Sequence, residues 1–253
     1  MQRIQVPATN RNYPPNDFIS PAYDRNCEDG LKSIYLILST PRSGSTLLCD
    51  LIHNAGGPLG HEYFQHHGYI QCLASRWECL HDETSILPEK FIAMLIRNRC
   101  FNGSLCINLH GSHIKTFMQF APFIPQCELK IIFLKRNRII RQATSFAIAS
   151  HTKAWSSAYK AAGGNLSPPS SEQIMEKIRI INDQNLLIES FLCKNNFKFL
   201  DVAYEDLMTK SLQEKVGAHL GLNLDISKAT LKKQSNDLSL FISQDFANSF
   251  SSC

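Results

Sequence analysis

Ser39-Thr40-Pro41-Arg42-Ser43-Gly44-Ser45-Thr46 is a run of hydroxyl side chains around one arginine and one glycine. Hydroxyl and backbone N–H donors, a fixed positive charge and a residue without a Cβ suit an anionic group such as phosphate or sulfate. Ile34-Tyr35-Leu36-Ile37-Leu38 precedes the run as a continuous apolar stretch of β-favouring residues. Thr46-Leu47-Leu48-Cys49-Asp50-Leu51-Ile52 follows it with apolar positions at helical spacing. The order strand, tight polar loop, helix directs several N–H groups to one point at the positive end of the helix dipole. A triphosphate loop would need Gly-x-x-x-x-Gly-Lys-Ser/Thr, and here the first glycine and the lysine are both missing. The expected anion is therefore not the β,γ-phosphate of a triphosphate. The plainer alternative is a serine-capped helix start with a surface arginine.

A second group of chemically capable residues is Gly60-His61-Glu62-Tyr63-Phe64, with His66 and His67 just beyond. The zinc-protease pattern His-Glu-x-x-His fails by one position, because Gln65 stands where the second histidine belongs. No metal is expected. On local pattern alone a glutamate in such a loop is more often a solvated surface group.

These residues must be positioned by a larger frame. Further buried-strand patterns occupy residues 113–117, 129–134 and 197–202, and helical patterns fill 89–100, 139–150, 172–193 and 211–219. Gly221 stands where a helix C-terminal glycine would. Short apolar strands alternating with helices predict an α/β fold with a mostly parallel sheet flanked by helices. Residues 1–30 are polar and proline-rich and read as an irregular arm, leaving 31–253 as one domain. Residues 161–171, with two glycines and two prolines among serines, read as a loop.

Composition narrows the function classes. With 43% hydrophobic and 19% charged residues over 253 positions, the chain is neither disordered, collagen-like nor a disulfide-stapled miniprotein. A net charge of +4 is too small a basic balance to argue for nucleic acid, and it fits one concentrated anion site equally well. Nine cysteines form no Cys-x-x-Cys pair, and several lie in apolar runs where a thiol acts as a small hydrophobe. A reducing compartment is expected. No run of about 18 apolar residues occurs, and the leader has no signal-peptide core, so the expectation is a cytoplasmic protein without an integral membrane segment.

Thr40-Pro41-Arg42-Ser43-Gly44-Ser45-Thr46-Leu47-Leu48-Cys49-Asp50-Leu51, followed by Gly60-His61-Glu62-Tyr63-Phe64, resembles the bacterial carbohydrate sulfotransferases typified by trehalose 2-sulfotransferase. Gly111-Ser112-His113-Ile114-Lys115-Thr116-Phe117-Met118 is similar to the family's Gly-x-Lys strand with one extra residue. Leu134-Lys135-Arg136-Asn137-Arg138, leading to Arg141-Gln142-Ala143-Thr144-Ser145, is similar to its 3'-phosphate segment. Tyr204-Glu205-Asp206-Leu207 before Leu220-Gly221-Leu222 is similar to its C-terminal strand–helix element. Together these segments cover residues 33–235.

The resemblance implies a P-loop-like sulfotransferase fold. It also implies transfer of a sulfuryl group from 3'-phosphoadenosine-5'-phosphosulfate to a hydroxyl, on a sugar or glycolipid acceptor. Arg42, Ser43, Gly44, Ser45 and Thr46 would hold the 5'-phosphosulfate, as the loop's own chemistry also indicates. Arg136, with Arg138 as its rival, and Ser145 would hold the 3'-phosphate. Glu62 matches the family's proposed general base, with Arg42 and Lys115 stabilising transferred charge; Lys115 could instead cap a strand end. His61, Tyr63, Phe64 and Trp155 would lie toward the acceptor. Family members can form dimers, so a homodimer is compatible. Two rivals stay open: a catalytically silent sulfotransferase-like nucleotide-binding protein, and a P-loop phosphotransferase.

Overall fold

The computed structural model describes residues 2–8, 17–65, 68–155, 168–230 and 237–251. In chain order the first elements are β1 (Ile4–Gln5), β2 (Ser33–Ser39), α1 (Ser45–Asn54) and α2 (Tyr69–Arg76). Then come β3 (Leu80–Asp82), β4 (Ser85–Ile86), α3 (Pro88–Arg99), β5 (Ser104–His110) and α4 (Ile114–Phe120). The chain continues through β6 (Glu128–Lys135), α5 (Ile139–Thr152), α6 (Ser171–Lys194), β7 (Phe199–Ala203), α7 (Lys210–Leu220) and α8 (Asp237–Ser251).

Four strands form a parallel sheet in the order β5-β2-β6-β7, so β2 has a partner on each side. Its side chains alternate between two cores, as a strand buried on both faces requires. Ile34, Leu36 and Leu38 pack with α2, α3, α4 and α6 on one face. Tyr35 and Ile37 pack with α1 and α7 on the other. The expected α/β architecture with a parallel sheet flanked by helices is what the chain adopts. Gly221, at φ +77, closes α7 as its left-handed C-cap.

Two expectations are corrected. Residues 113–117 are not a strand: Gly111–His113 is a 3-10 turn and α4 follows. His113, Phe117 and Phe120 turn inward while Lys115, Met118 and Gln119 are exposed, a helical period rather than a period of two. The sheet position beside β2 is taken instead by β5, with Ser33 opposite Ser104 and Ser39 opposite His110. The leader is not merely irregular. Ile4 and Gln5 pair antiparallel with Ile86 and Ser85, and Ile4, Val6 and Ile19 are buried in the larger core. Of the loop expected at 161–171, residues 161–167 lie outside the described residues. Ser170 starts α6 with a reciprocal capping box to Gln173.

Candidate active site

The loop between β2 and α1 lies at the carboxyl edge of the parallel sheet, where open α/β sheets place their ligands. Gly44 is the N-cap of α1 at φ +94, and no side chain caps that helix. The amides of its first turn are thus available to an anion. Ser43 is fully buried, and its Oγ has no hydrogen-bond partner among the described residues. Two distant side chains brace the loop. Asn108, near the end of β5, accepts from Ser39 Oγ at 3.1 Å and donates to Ser45 Oγ at 3.1 Å. Gln142, on α5, donates to Thr40 Oγ1 and to the Pro41 carbonyl, both at 2.8 Å. Neither brace was legible in the sequence, because each acts on the loop from an element far away along the chain.

A Cβ at Gly44 would lie 2.2 Å from Tyr204 Cδ2, in a backbone conformation that favours glycine. Gly44→Ala should therefore destabilise the protein by roughly 1–3 kcal/mol through strain and overpacking. Thermal denaturation checks this; an unchanged midpoint would mean that the loop repacks freely.

A cationic cluster stands beside the loop. Arg42, itself at φ +63, donates from Nε to Ser145 Oγ at 3.0 Å and from Nη1 to the Trp155 carbonyl at 2.6 Å. Arg136 donates from Nη1 to the Arg42 carbonyl at 3.2 Å, and its guanidinium lies 4.9 Å from the centroid of the Tyr204 ring. Burial, and then the neighbouring Arg136 charge, lower the pKa of Arg42; burial lowers that of Arg136 as well. Both guanidinium groups stay cationic at neutral pH. Glu205 Oε1, 4.0 Å from Arg136 Nε, offsets part of this like-charge repulsion, and a bound anion would relieve the rest. Glu205 accepts from the backbone N–H of Asn137 at 3.0 Å and of Arg138 at 3.1 Å, so a carboxylate holds the start of α5. The structure thus gathers Arg42, Arg136, Ser145 and Trp155, while Arg138 sits on the exposed rim. The Trp155 ring is 41% exposed and meets Phe146 edge-on at 6.1 Å.

Glu62 reaches the same edge of the sheet by a different route. His61 bridges Ile107 in parallel register, and the Asn108 N–H donates to the His61 carbonyl at 3.0 Å. Gly60 lets this segment approach α1 and β5 closely, since a Cβ there would lie 2.5 Å from Cys49 Sγ and 2.7 Å from Cys106 Sγ. Glu62 keeps partial solvent access, accepts from Gln65 Nε2 at 3.0 Å and lies 3.5 Å from His110 Nδ1. Burial pushes His110 down to about 4, so its imidazole is neutral at physiological pH.

The neighbours of Glu62, expected toward the acceptor, are buried and anchor the segment in the core. Tyr63 and Phe64 are wholly buried. Tyr63 donates its hydroxyl to the Leu59 carbonyl at 2.8 Å, and Phe64 packs among Phe91, Phe117 and Phe120. His61 is buried beside Asp17, Phe18 and Tyr69, its pKa lowered by that burial. Paired apolar residues flanking one carboxylate fix its position by filling the core beneath it. Lys115 is exposed on α4, and among the described residues no hydrogen bond or ion pair ties it to the phosphate loop. His66 and His67 lie outside the described residues. The fold also assembles a cluster that was not legible in the sequence, Glu62 with His110 and His113.

Residues 34–103 match the family model described as Stf0 sulphotransferase. Among solved structures, the chain is similar to the sulfotransferase domain from the Synechococcus PCC 7002 olefin synthase, with 17% identity, 88% of this chain and 98% of that chain covered, and a TM-score of 0.42. No curated protein matches the chain. Among the described residues, no helix is long and apolar enough to cross a membrane. The matched segment runs from β2 to the turn before β5 and carries both the phosphate loop and Glu62, so the resemblance read from the sequence is borne out over those residues.

Proposed function

We propose that the protein is a sulfotransferase that moves a sulfuryl group from 3'-phosphoadenosine-5'-phosphosulfate to a hydroxyl of a carbohydrate or glycolipid. The observation that carries this reading is the uncapped start of α1 with the buried Ser43 hydroxyl and the guanidinium groups of Arg42 and Arg136 around it. Such donors suit two phosphate-like groups joined by a nucleoside better than one isolated anion. The donor supplies the sulfuryl group and leaves as adenosine 3',5'-bisphosphate. Arg42, Ser43, Gly44, Ser45 and Thr46 hold the phosphosulfate end, with Arg42 neutralising charge on the leaving phosphate.

Arg136 and Ser145 hold the 3'-phosphate. Arg136 is preferred over Arg138 because it is half-buried and linked to Ser145 through Arg42. Glu62 takes the proton of the acceptor hydroxyl. The exposed Trp155 ring offers a face for the acceptor. Lys115 has no part in this scheme, given its place on the outer face of α4. The transfer needs no metal, and the eight described cysteines, all free thiols, suit a reducing cytoplasm.

Calorimetric titration with adenosine 3',5'-bisphosphate, with AMP, adenosine 5'-phosphosulfate and ATP as controls, tests the reading. Micromolar binding is expected, weakened about tenfold or more by loss of the 3'-phosphate, as befits charge-assisted hydrogen bonds. Tighter binding of ATP would instead favour a phosphotransferase. Tight donor binding without transfer to any member of a broad sugar and lipid panel would favour a silent nucleotide-binding protein.

A further inference from the structure

Glu62, His110 and His113 come from two separate stretches of chain, yet their ligand atoms all lie within 4.8 Å of one another. Each is held by rigid structure. His110 is the last residue of β5, opposite Ser39 in the sheet. His113 is buried at the end of the 3-10 turn that follows. Glu62 stands between His61 and Tyr63, both buried.

The spacing is close to that of a tetrahedral metal centre. Zinc bonds of about 2.0–2.2 Å to imidazole nitrogen and carboxylate oxygen put neighbouring ligand atoms about 3.4 Å apart. Glu62 Oε2 and His110 Nδ1 are 3.5 Å apart. Two imidazoles sharing such an ion have ring centroids roughly 5 Å apart. The His110 and His113 rings have centroids 5.3 Å apart. Closing a spacing of 4.8 Å to about 3.4 Å takes a shift of about 1.4 Å by one side chain, with rotation of one of the two imidazole rings, whose planes are inclined by 24°.

We propose that Glu62, His110 and His113 form a binding site for a divalent transition ion of the zinc class, and that the bound ion inhibits the enzyme. Two imidazoles and one carboxylate suit zinc and its neighbours rather than magnesium or calcium, which take all-oxygen shells. Three protein ligands leave a fourth position for water. A carboxylate engaged by the ion is no longer free to accept the acceptor's proton. The inhibitory half of the proposal rests on Glu62 being the base; the binding half does not.

The test begins with chelator-treated, full-length protein titrated with cobalt(II) as a spectroscopic stand-in, then with zinc. One equivalent of cobalt should give visible absorption of tetrahedral intensity, and zinc should abolish it. His113→Ala and the bulkier His113→Gln should each weaken uptake by at least about tenfold, the low end of what even an outer-layer partner of a metal contributes. Zinc should also inhibit sulfuryl transfer by the wild type at concentrations that His113→Gln tolerates relative to its own metal-free rate. The site is overturned by absence of uptake, by uptake unchanged in both His113 variants, or by thiolate-to-cobalt charge transfer, which would mark cysteine ligation. Uptake at the site without inhibition would overturn the inhibitory half. Failure of adenosine 3',5'-bisphosphate to bind would sink the sulfotransferase reading while leaving the cobalt spectrum to decide the metal site.

Discussion

Glu62→Gln is expected to bind adenosine 3',5'-bisphosphate as the wild type does while losing turnover by about 10²–10⁴-fold, the usual contribution of a positioned general base. Glutamine has nearly the volume of glutamate, and its carbonyl can still accept from Gln65 Nε2, the 3.0 Å partner of the carboxylate. The flanking Tyr63 and Phe64 rings stay buried and keep the segment in place. What disappears is the capacity to take a proton. The hydrogen bonds of Arg42 to Ser145, of Asn108 to Ser45 and of Gln142 to Thr40 do not involve Glu62, and they hold the donor site in the variant. Transfer of labelled sulfate to a sugar and lipid panel, beside calorimetry of the same variant, separates the two effects. Undiminished turnover would remove Glu62 as the base. Loss of donor affinity would instead make it part of the nucleotide site.

The phosphate loop was legible in the sequence because everything that builds it is local. An apolar strand, a turn with one glycine and an amphipathic helix follow one another within residues 33–54, and their order alone converges the amides. The parallel sheet was legible for the same reason, since strands buried on both faces leave short continuous apolar runs. Residues 113–117 went wrong because two apolar residues within five positions do not distinguish a strand from a helix turn, and the true strand ended three residues earlier, at His110. That error carried Lys115 with it: a lysine expected to stabilise transferred charge or to cap a strand end is exposed on a helix. Asn108 and Gln142 were missed because a buried amide looks like any other polar residue until its partners are known. The pairing of Glu62 with His110 exists only once His61 is seen to bridge Ile107. The burial of Tyr63 and Phe64 was not legible either, because aromatic residues beside a carboxylate read alike whether they face a ligand or the core.

Arg42→Ala should abolish detectable binding of adenosine 3',5'-bisphosphate, a loss of about 100-fold or more, as when a buried charged hydrogen-bonding partner is truncated. The same variant should keep its thermal stability to within about 1 kcal/mol, because two opposing changes partly cancel. Truncation removes the hydrogen bonds to Ser145 Oγ and to the Trp155 carbonyl. It also removes one of two neighbouring cationic groups, and both Arg42 and Arg136 have their pKa lowered by burial. Arg42→Lys sharpens the reading. A lysine keeps the charge but loses the planar fork that addresses Ser145 and Trp155 together, so its affinity should fall between the wild type and the alanine variant. A lysine variant as weak as alanine would mean that fork geometry, rather than charge, selects the donor. Wild-type binding by Arg42→Ala would remove the loop from the donor site, and the roles given to Arg136 and Ser145 would fall with it, because Arg42 is what links them.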